Sequence, residues 1–370
     1  MNDDNQQSVL CHSMLLGLAG LIPDSALAEA RRLLGAGGPG ATASAAAVVV
    51  DAVTAAPIRL TDDDRELLAA LLGRPDADIP GLPGDEVAPP PTFWFAPGPI
   101  SVLKELGGRV GASLDLTFGP DTELLHDATI GLLGAVDSAV IAEVEQAAMF
   151  SVGLPGAPVG LWRAWRYAGV DDPDPRPVYL VEVVPGGTPW VATAAIQNVV
   201  SRLGVTAPSV EVFESWEPIG SYQAQARSSS ALLWAATPGR PFQSAQVYDR
   251  VDEATGAGGF DAGHPLIEDE DEAEALLYYL DAGIALAVTD AMLDDVIDPS
   301  LRACVPLNLR TDGEWIWTDT VFYYLHQHGL SPDPRLVAHI EERRDPPPEM
   351  LDGVALFRAI HHLERSPAAL

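Results

Sequence analysis

Apolar positions in the N-terminal part of the chain recur at helical spacing, interrupted by short turn signals. Positions 9–22 suit a buried helix, Pro23-Asp24-Ser25 opens a second that stops near Gly35, and the alanine-rich stretch 41–55 forms a third, although Val48-Val49-Val50 lowers its helix propensity. Thr61 with Asp64 makes a capping-box pattern for a fourth helix, and Gly73 supplies its stop. This predicts a helical unit over 1–75. Residues 76–92, with Pro89-Pro90-Pro91, read as an extended linker.

Past the linker, Phe93-Trp94-Phe95 reads as a strand and 136–149 as a helix. Strands are expected at 178–184, 209–213 and 231–235, with helices over 190–203, entered through Thr188-Pro189, and over 221–228. Such alternation implies a sheet with helices on at least one face, in a unit over 93–237. Thr237-Pro238-Gly239 marks a break. A last unit over 238–345 is expected to hold a helix at 268–281, strands at 284–289 and 305–311, and an Asp312-Gly313 turn leading into Glu314-Trp315-Ile316-Trp317. A helix capped by Thr318 or Asp319 then runs to Gly329, and the tail over 346–370 carries an amphipathic helix at 350–364. Leu276-Leu277-Tyr278-Tyr279-Leu280 and Val321-Phe322-Tyr323-Tyr324-Leu325 echo one another as two helix ends solving one packing problem. The predicted fold class is α+β (mixed α/β), a helical unit followed by sheet-containing units with helices packed on the sheet.

Composition narrows the class. With 370 residues, 47% of them hydrophobic, the chain can bury a substantial core, and no run approaches the roughly 18 apolar residues of a membrane span. The acidic start Met1-Asn2-Asp3-Asp4-Asn5 lacks the positive charge of a secretory signal, and Cys11 and Cys304 are the only cysteines, so a cytoplasmic protein with two buried thiols is expected. The net charge of −32 repels phosphate backbones, which excludes nucleic acid and leaves a basic protein as the electrostatically favoured partner. Part of this acidity reflects its source. Lys104 is the only lysine among 21 basic residues, and the abundance of Ala, Gly and Pro points to a G+C-rich, actinobacterial genome. The acidic run Glu268 to Glu272 falls in a helix's first turn, where it complements the dipole.

Candidate chemistry is sparse. Lys104 stands outside any Gly-Lys-Ser/Thr step, so a P-loop is absent. Gly35, Gly37 and Gly40 have dinucleotide-loop spacing but follow a helix and not a strand. Ser228-Ser229-Ser230 lacks a nucleophile elbow and reads as a cap or strand lead-in. Asp294, Asp295 and Asp298, like Asp249, Asp252 and Asp261, miss the EF-hand pattern and read as solvated turns. His326 and His328 lie about 200° apart on one helix, which disfavours a shared metal, and with His339 they suit a helix C-terminus. No metal or cofactor is expected.

The most distinctive segment is Arg310-Thr311-Asp312-Gly313-Glu314-Trp315-Ile316-Trp317. Two tryptophans at period two share one sheet face, where they either complete the core or anchor a partner; the following aromatic helix favours core. On the second reading Arg310, Asp312, Trp315 and Trp317 are the candidate binding residues. Over 281–340, and more weakly over 178–235, the chain resembles a group of actinobacterial proteins with an Arg-Thr-Asp-Gly-x-Trp-x-Trp hairpin followed by a Tyr-Tyr-Leu helix. Some of these look like partners or immunity factors of secreted toxins, and the resemblance brings no catalytic residues with it. The expected function is non-enzymatic protein binding, as an immunity or chaperone-like partner of a basic or secreted protein. The alternative is a hydrolase with an acidic cleft, metal-assisted through His326 and His328.

Overall fold

The structure, a computed structural model, describes residues 3–56, 58–79, 92–107, 111–126, 131–169, 172–252, 255–343 and 345–365. Pro89-Pro90-Pro91, the centre of the expected linker, lies outside them. The fold is α+β, in two compact units, Met1–Pro238 and Gly239–Leu370, which part at the Thr237-Pro238-Gly239 break.

The first unit opens with four helices, α1 (Asp3–Gly17), α2 (Asp24–Ala36), α3 (Ala41–Ala55) and α4 (Asp62–Leu72). Thr61 accepts the Asp64 N–H at 3.1 Å and Gly73 closes α4 in the left-handed region, as the capping pattern predicts. Next come β1 (Trp94–Ala96), α5 (Ile100–Leu106), β2 (Leu114–Asp115) and α6 (Ala135–Phe150). The rest of the unit is β3 (Pro158–Tyr167), β4 (Arg176–Val183), α7 (Pro189–Arg202), β5 (Ser209–Glu214), α8 (Ser221–Ser228) and β6 (Ala231–Ala235).

The strands form one six-stranded sheet, ordered β2-β6-β3-β4-β5, with β1 also paired to β3. β4 and β5 are parallel, with Val178 opposite Ser209 and Val183 opposite Glu214. β3 is antiparallel to β4, β6 and β1. The sequence pattern conceals β3, the longest strand, because Arg163 and Arg166 interrupt its apolar run. Arg163 is buried and held by Asp137 at 2.7 Å and by the carbonyls of Leu132 and Pro97.

α6 and α7 cover one face of the sheet, packing Val140, Val144, Ile196 and Val200 over Val181 and Val212. The four N-terminal helices share a core with Trp190 of α7 and Tyr222 of α8, so they belong to the same compact unit as the sheet. They also close the sheet edge at β5. There Arg31 donates to the Val210 carbonyl at 2.9 Å and His12 meets the Val212 carbonyl at 2.8 Å, satisfying acceptors that an edge strand otherwise leaves open.

α2 and α7 approach closely because Gly35 has no side chain: a Cβ there would fall 2.2 Å from Ala194 Cβ and 2.8 Å from the Trp190 carbonyl oxygen. Gly35→Ala is therefore expected to destabilise this unit by about 2 kcal/mol through overpacking, despite alanine's better helix propensity. A urea midpoint equal to or above that of the parent chain would show that the helices separate freely.

In the second unit β7 (Gln243–Ser244), β8 (Arg250–Val251) and β9 (Gly258–Gly259) precede α9 (Glu270–Ala282). Then come β10 (Ile284–Ala287), β11 (Met292–Leu293), β12 (Val305–Pro306), β13 (Leu309–Thr311), β14 (Trp315–Thr318), α10 (Asp319–His328), α11 (Pro334–Arg343) and α12 (Gly353–Arg365). The main sheet runs β10-β13-β14-β7, with β11-β12 and β8-β9 as separate ribbons. The single strand expected over 305–311 is two strands in different sheets. Between them Asn308 turns to bond Asp319, accepting its N–H at 2.9 Å and donating Nδ2 to its carboxylate at 2.7 Å.

The two echoing helix ends do solve one packing problem. Leu276, Tyr279 and Leu280 of α9 and Val321 and Leu325 of α10 enter one core around Trp315 and Trp317.

Candidate functional site

β4 and β5 deliver their carboxyl ends to the same edge of the sheet, the place where parallel α/β units leave a crevice. The loop after β4 passes through Gly186 and Gly187 into α7, with Pro189 in the first helical turn. A Cβ at Gly187 would lie 2.4 Å from Gly156 Cα, so glycine there lets this loop press against the one entering β3. The loop after β5 carries Trp216, Glu217, Pro218 and Ile219 to α8. With α1 these loops enclose a cavity of about 440 Å3 whose apolar wall includes Val9, Leu16, Pro189, Phe213, Pro218 and Ile219.

The polar part of the wall is acceptor-rich. Glu214 and Glu217 are its charged side chains, and among the described residues no lysine or arginine lines the cavity. One oxygen of Glu214 accepts the Gly186 N–H at 2.9 Å. Among the described residues neither carboxylate is paired with a cation.

His12, on α1, is 5% exposed. Its Nε2 donates to the Val212 carbonyl, so the neutral ring keeps its lone pair on Nδ1, and that atom is buried without a partner among the described residues. Burial pushes the His12 imidazole down to about 4; the hydrogen bond to Val212 opposes the shift and the Arg31 charge adds to it.

Below this site lies a buried ion pair. Arg31 grips both oxygens of Glu211 at 2.7 and 2.6 Å, while Gln223 Nε2 donates to Glu211 at 3.0 Å and to the Leu16 carbonyl at 2.9 Å. Side-chain exposure is 1% for Arg31 and 0% for Glu211. The network fixes α1, α2 and α8 to β5, and so holds the cavity wall.

Large apolar side chains gather around this end of the unit. Met149 and Phe150 end α6, and Val152 and Leu154 lie on the loop that follows; Phe150 is 79% and Val152 81% exposed. This loop sits beside the cavity because Gly156 N–H bonds the Val184 carbonyl at 2.7 Å. Trp216, next to Glu217 in the loop after β5, is exposed and holds φ at 66°, a left-handed conformation that is costly for a bulky side chain.

The residues singled out in the sequence lie in the second unit, and three of the four are core. Trp317 is fully buried and donates Nε1 to the Leu280 carbonyl at 3.2 Å, while Trp315 is buried beside His339 and Arg335. Asp312 is buried as a junction, with one oxygen accepting the N–H groups of Glu314 and Trp315 and the other taking Tyr279 Oη and His339 Nε2, each at 2.6 Å. Arg310 is half-buried and tied to Asp319 at 2.6 Å. The hairpin residues thus come together as packing, and the partner-anchoring reading of Asp312, Trp315 and Trp317 is corrected by their burial.

Asp312→Asn is expected to cost about 2 kcal/mol, because an amide nitrogen placed against Tyr279 and His339 cannot accept from both. A variant as stable as the parent chain to urea would show that the junction adds nothing.

The histidines do not converge. His328 bonds the fully buried Asp295 at 2.6 Å, whereas His326 is exposed and stacks on Phe322. Among the described residues no group of three or more His, Cys, Asp or Glu side chains could hold a metal ion. Asp295, expected in a solvated turn, also accepts Tyr323 Oη at 2.9 Å, and that hydroxyl lies 3.2 Å from Cys304 Sγ. Cys11 is buried and its thiol is pushed up to about 12 by that burial, whereas Cys304 is half-buried. No helix among the described residues is long and apolar enough to cross a membrane.

The cavity was invisible to sequence reasoning because its lining comes from α1, two loops and α8, far apart along the chain. The one available signal was Pro185-Gly186-Gly187-Thr188-Pro189 directly after a predicted strand. Compared with family models, curated proteins and solved structures, the chain matches none.

Proposed function

We propose that this is a non-enzymatic, cytoplasmic protein-binding protein that docks a basic protein on the end of its first unit. The observation that carries the proposal is the set of exposed apolar side chains, Met149, Phe150, Val152, Leu154 and Trp216, on segments that adjoin the loops of an acidic-walled cavity. Apolar anchors supply affinity, and the acidic field supplies steering toward a positively charged partner. A second copy of the chain is a poor occupant, since each carries a net charge of −32. The resemblance of the hairpin segment to toxin-associated actinobacterial proteins agrees with an immunity or chaperone-like role.

The test places a photo-crosslinking amino acid at Phe150, at Trp216 and, as a control, at the exposed Tyr278 of the second unit, in cells that naturally produce the protein. The expected result is one basic protein crosslinked from the first two positions and not from the third, with Val152→Asp weakening its binding about 30-fold. Adducts of equal yield from all three positions, or adducts with the chain itself, would defeat the proposal.

A further inference from the structure

We infer that the cavity beside β4 and β5 is a receptor for a single arginine side chain of the docked partner. This rests on the reading that this end of the first unit is the docking surface, and it names the group that enters. Its position, outside the carboxyl ends of parallel strands and at the start of α7, is one where many proteins bind phosphate. Here the chain fills that place itself: Glu214 accepts the Gly186 N–H just before α7, and Glu217 adds a second negative charge to the wall. An anionic ligand is therefore repelled.

The site asks instead for a donor-rich cation. Glu214 and Glu217 have no cationic partner among the described residues, and the Nδ1 lone pair of His12 has no donor among them either. Two donors of the wall are already engaged: Gln223 Nε2 is spent on Leu16 and Glu211, and Gly186 N–H on Glu214. Guanidinium carries five N–H donors in a planar array, which serves several acceptors at once, and its weakly hydrated faces pack against apolar wall such as Phe213 and Ile219. A lysine ammonium brings a compact, strongly hydrated charge and no flat face, so arginine is preferred.

The probes are N-acetyl-arginine methylamide, its lysine counterpart, and the citrulline counterpart, which keeps the shape without the charge. Binding is followed by long-range 15N NMR of the His12 ring and by calorimetry. The arginine probe is expected to bind at least about tenfold more tightly than either of the others and to shift the His12 Nδ1 resonance toward that of a hydrogen-bonded acceptor. Ser13→Trp, which fills the cavity from its exposed rim without changing charge, is expected to abolish both effects, and Glu214→Gln to weaken binding about tenfold.

Equal binding of arginine and citrulline probes, binding that survives Ser13→Trp, or no change at His12 would overturn the assignment. Each of those results leaves crosslinking at Phe150 and Trp216 free to succeed. Loss of that crosslinking alone would remove the docking surface and leave the arginine receptor standing as a binding site.

Discussion

Arg31→Met is expected to destabilise the first unit by about 3–5 kcal/mol, more than either Gly35→Ala or Asp312→Asn. The substitution leaves Glu211, whose side chain is fully buried, with Gln223 as its main remaining donor and, among the described residues, no paired cation. It also strips donors from the carbonyls of Val210 and Leu15. The cost comes from stranding a charge and not from losing a strong bond. Adding Glu211→Gln to Arg31→Met should therefore recover much of the loss, since a neutral pair needs no counter-charge. Urea unfolding followed by tryptophan fluorescence distinguishes the cases. A double variant as unstable as the single one would place the cost in the packing of the Arg31 stem.

A second large effect is expected from pH. His12 is neutral in the folded protein down to about 4, whereas its ordinary value is 6.5. Between those two pH values the unfolded chain binds a proton that the folded chain refuses, so stability falls as the solution becomes more acidic. The full window corresponds to about 3 kcal/mol, lost progressively as pH drops from 6.5 toward 4. His12→Leu starts from a lower stability at neutral pH because the Val212 carbonyl loses its donor, but its stability should be flat where the parent chain's is sloped.

The carboxylates of the second unit act in a lower range. Burial alone would raise Asp312, but the N–H of Trp315 and the Tyr279 hydroxyl outweigh it and hold the group below its ordinary 3.8. Its contribution is present above that value and lost as pH falls further, outside most of the His12 window. Parallel pH profiles for the parent chain and His12→Leu would remove His12 as the cause.

Much of the fold was legible because it obeyed local rules. Helices over 41–55 and 221–228 and the strand over 231–235 lie where propensity and stop signals put them, and the 237–239 break is the boundary between units. What could not be read was decided by pairing across long distances. β3 hides behind Arg163 and Arg166, which look like surface residues until Asp137 and Asp24 are brought beside them. Asp295 looked like one more acid in a turn, and only the approach of His328 and Tyr323 makes it a buried junction.

The candidate site was illegible for the same reason, since His12, Glu214 and Gln223 have no local motif in common. The hairpin stood out for the opposite reason. Its composition is unusual because a four-residue strand is covered on both sides, with Trp315, Ile316 and Trp317 all buried.

The capping of β5 by α1 and α2 bears on how the chain is made. His12 and its carbonyl partner on Val212 are separated by 200 residues, and Arg31 and Glu211 by 180. At synthesis rates of about 5–20 residues per second, the N-terminal helices leave the ribosome on the order of 10–40 s before the strand that completes them. During that interval Leu15, Leu18 and Leu27 have the other N-terminal helices to pack against, but Trp190, which completes that core, has yet to be made and Arg31 has no carboxylate to hold. The polar anchors that tie α1 and α2 to β5 therefore form only after most of the unit has been made.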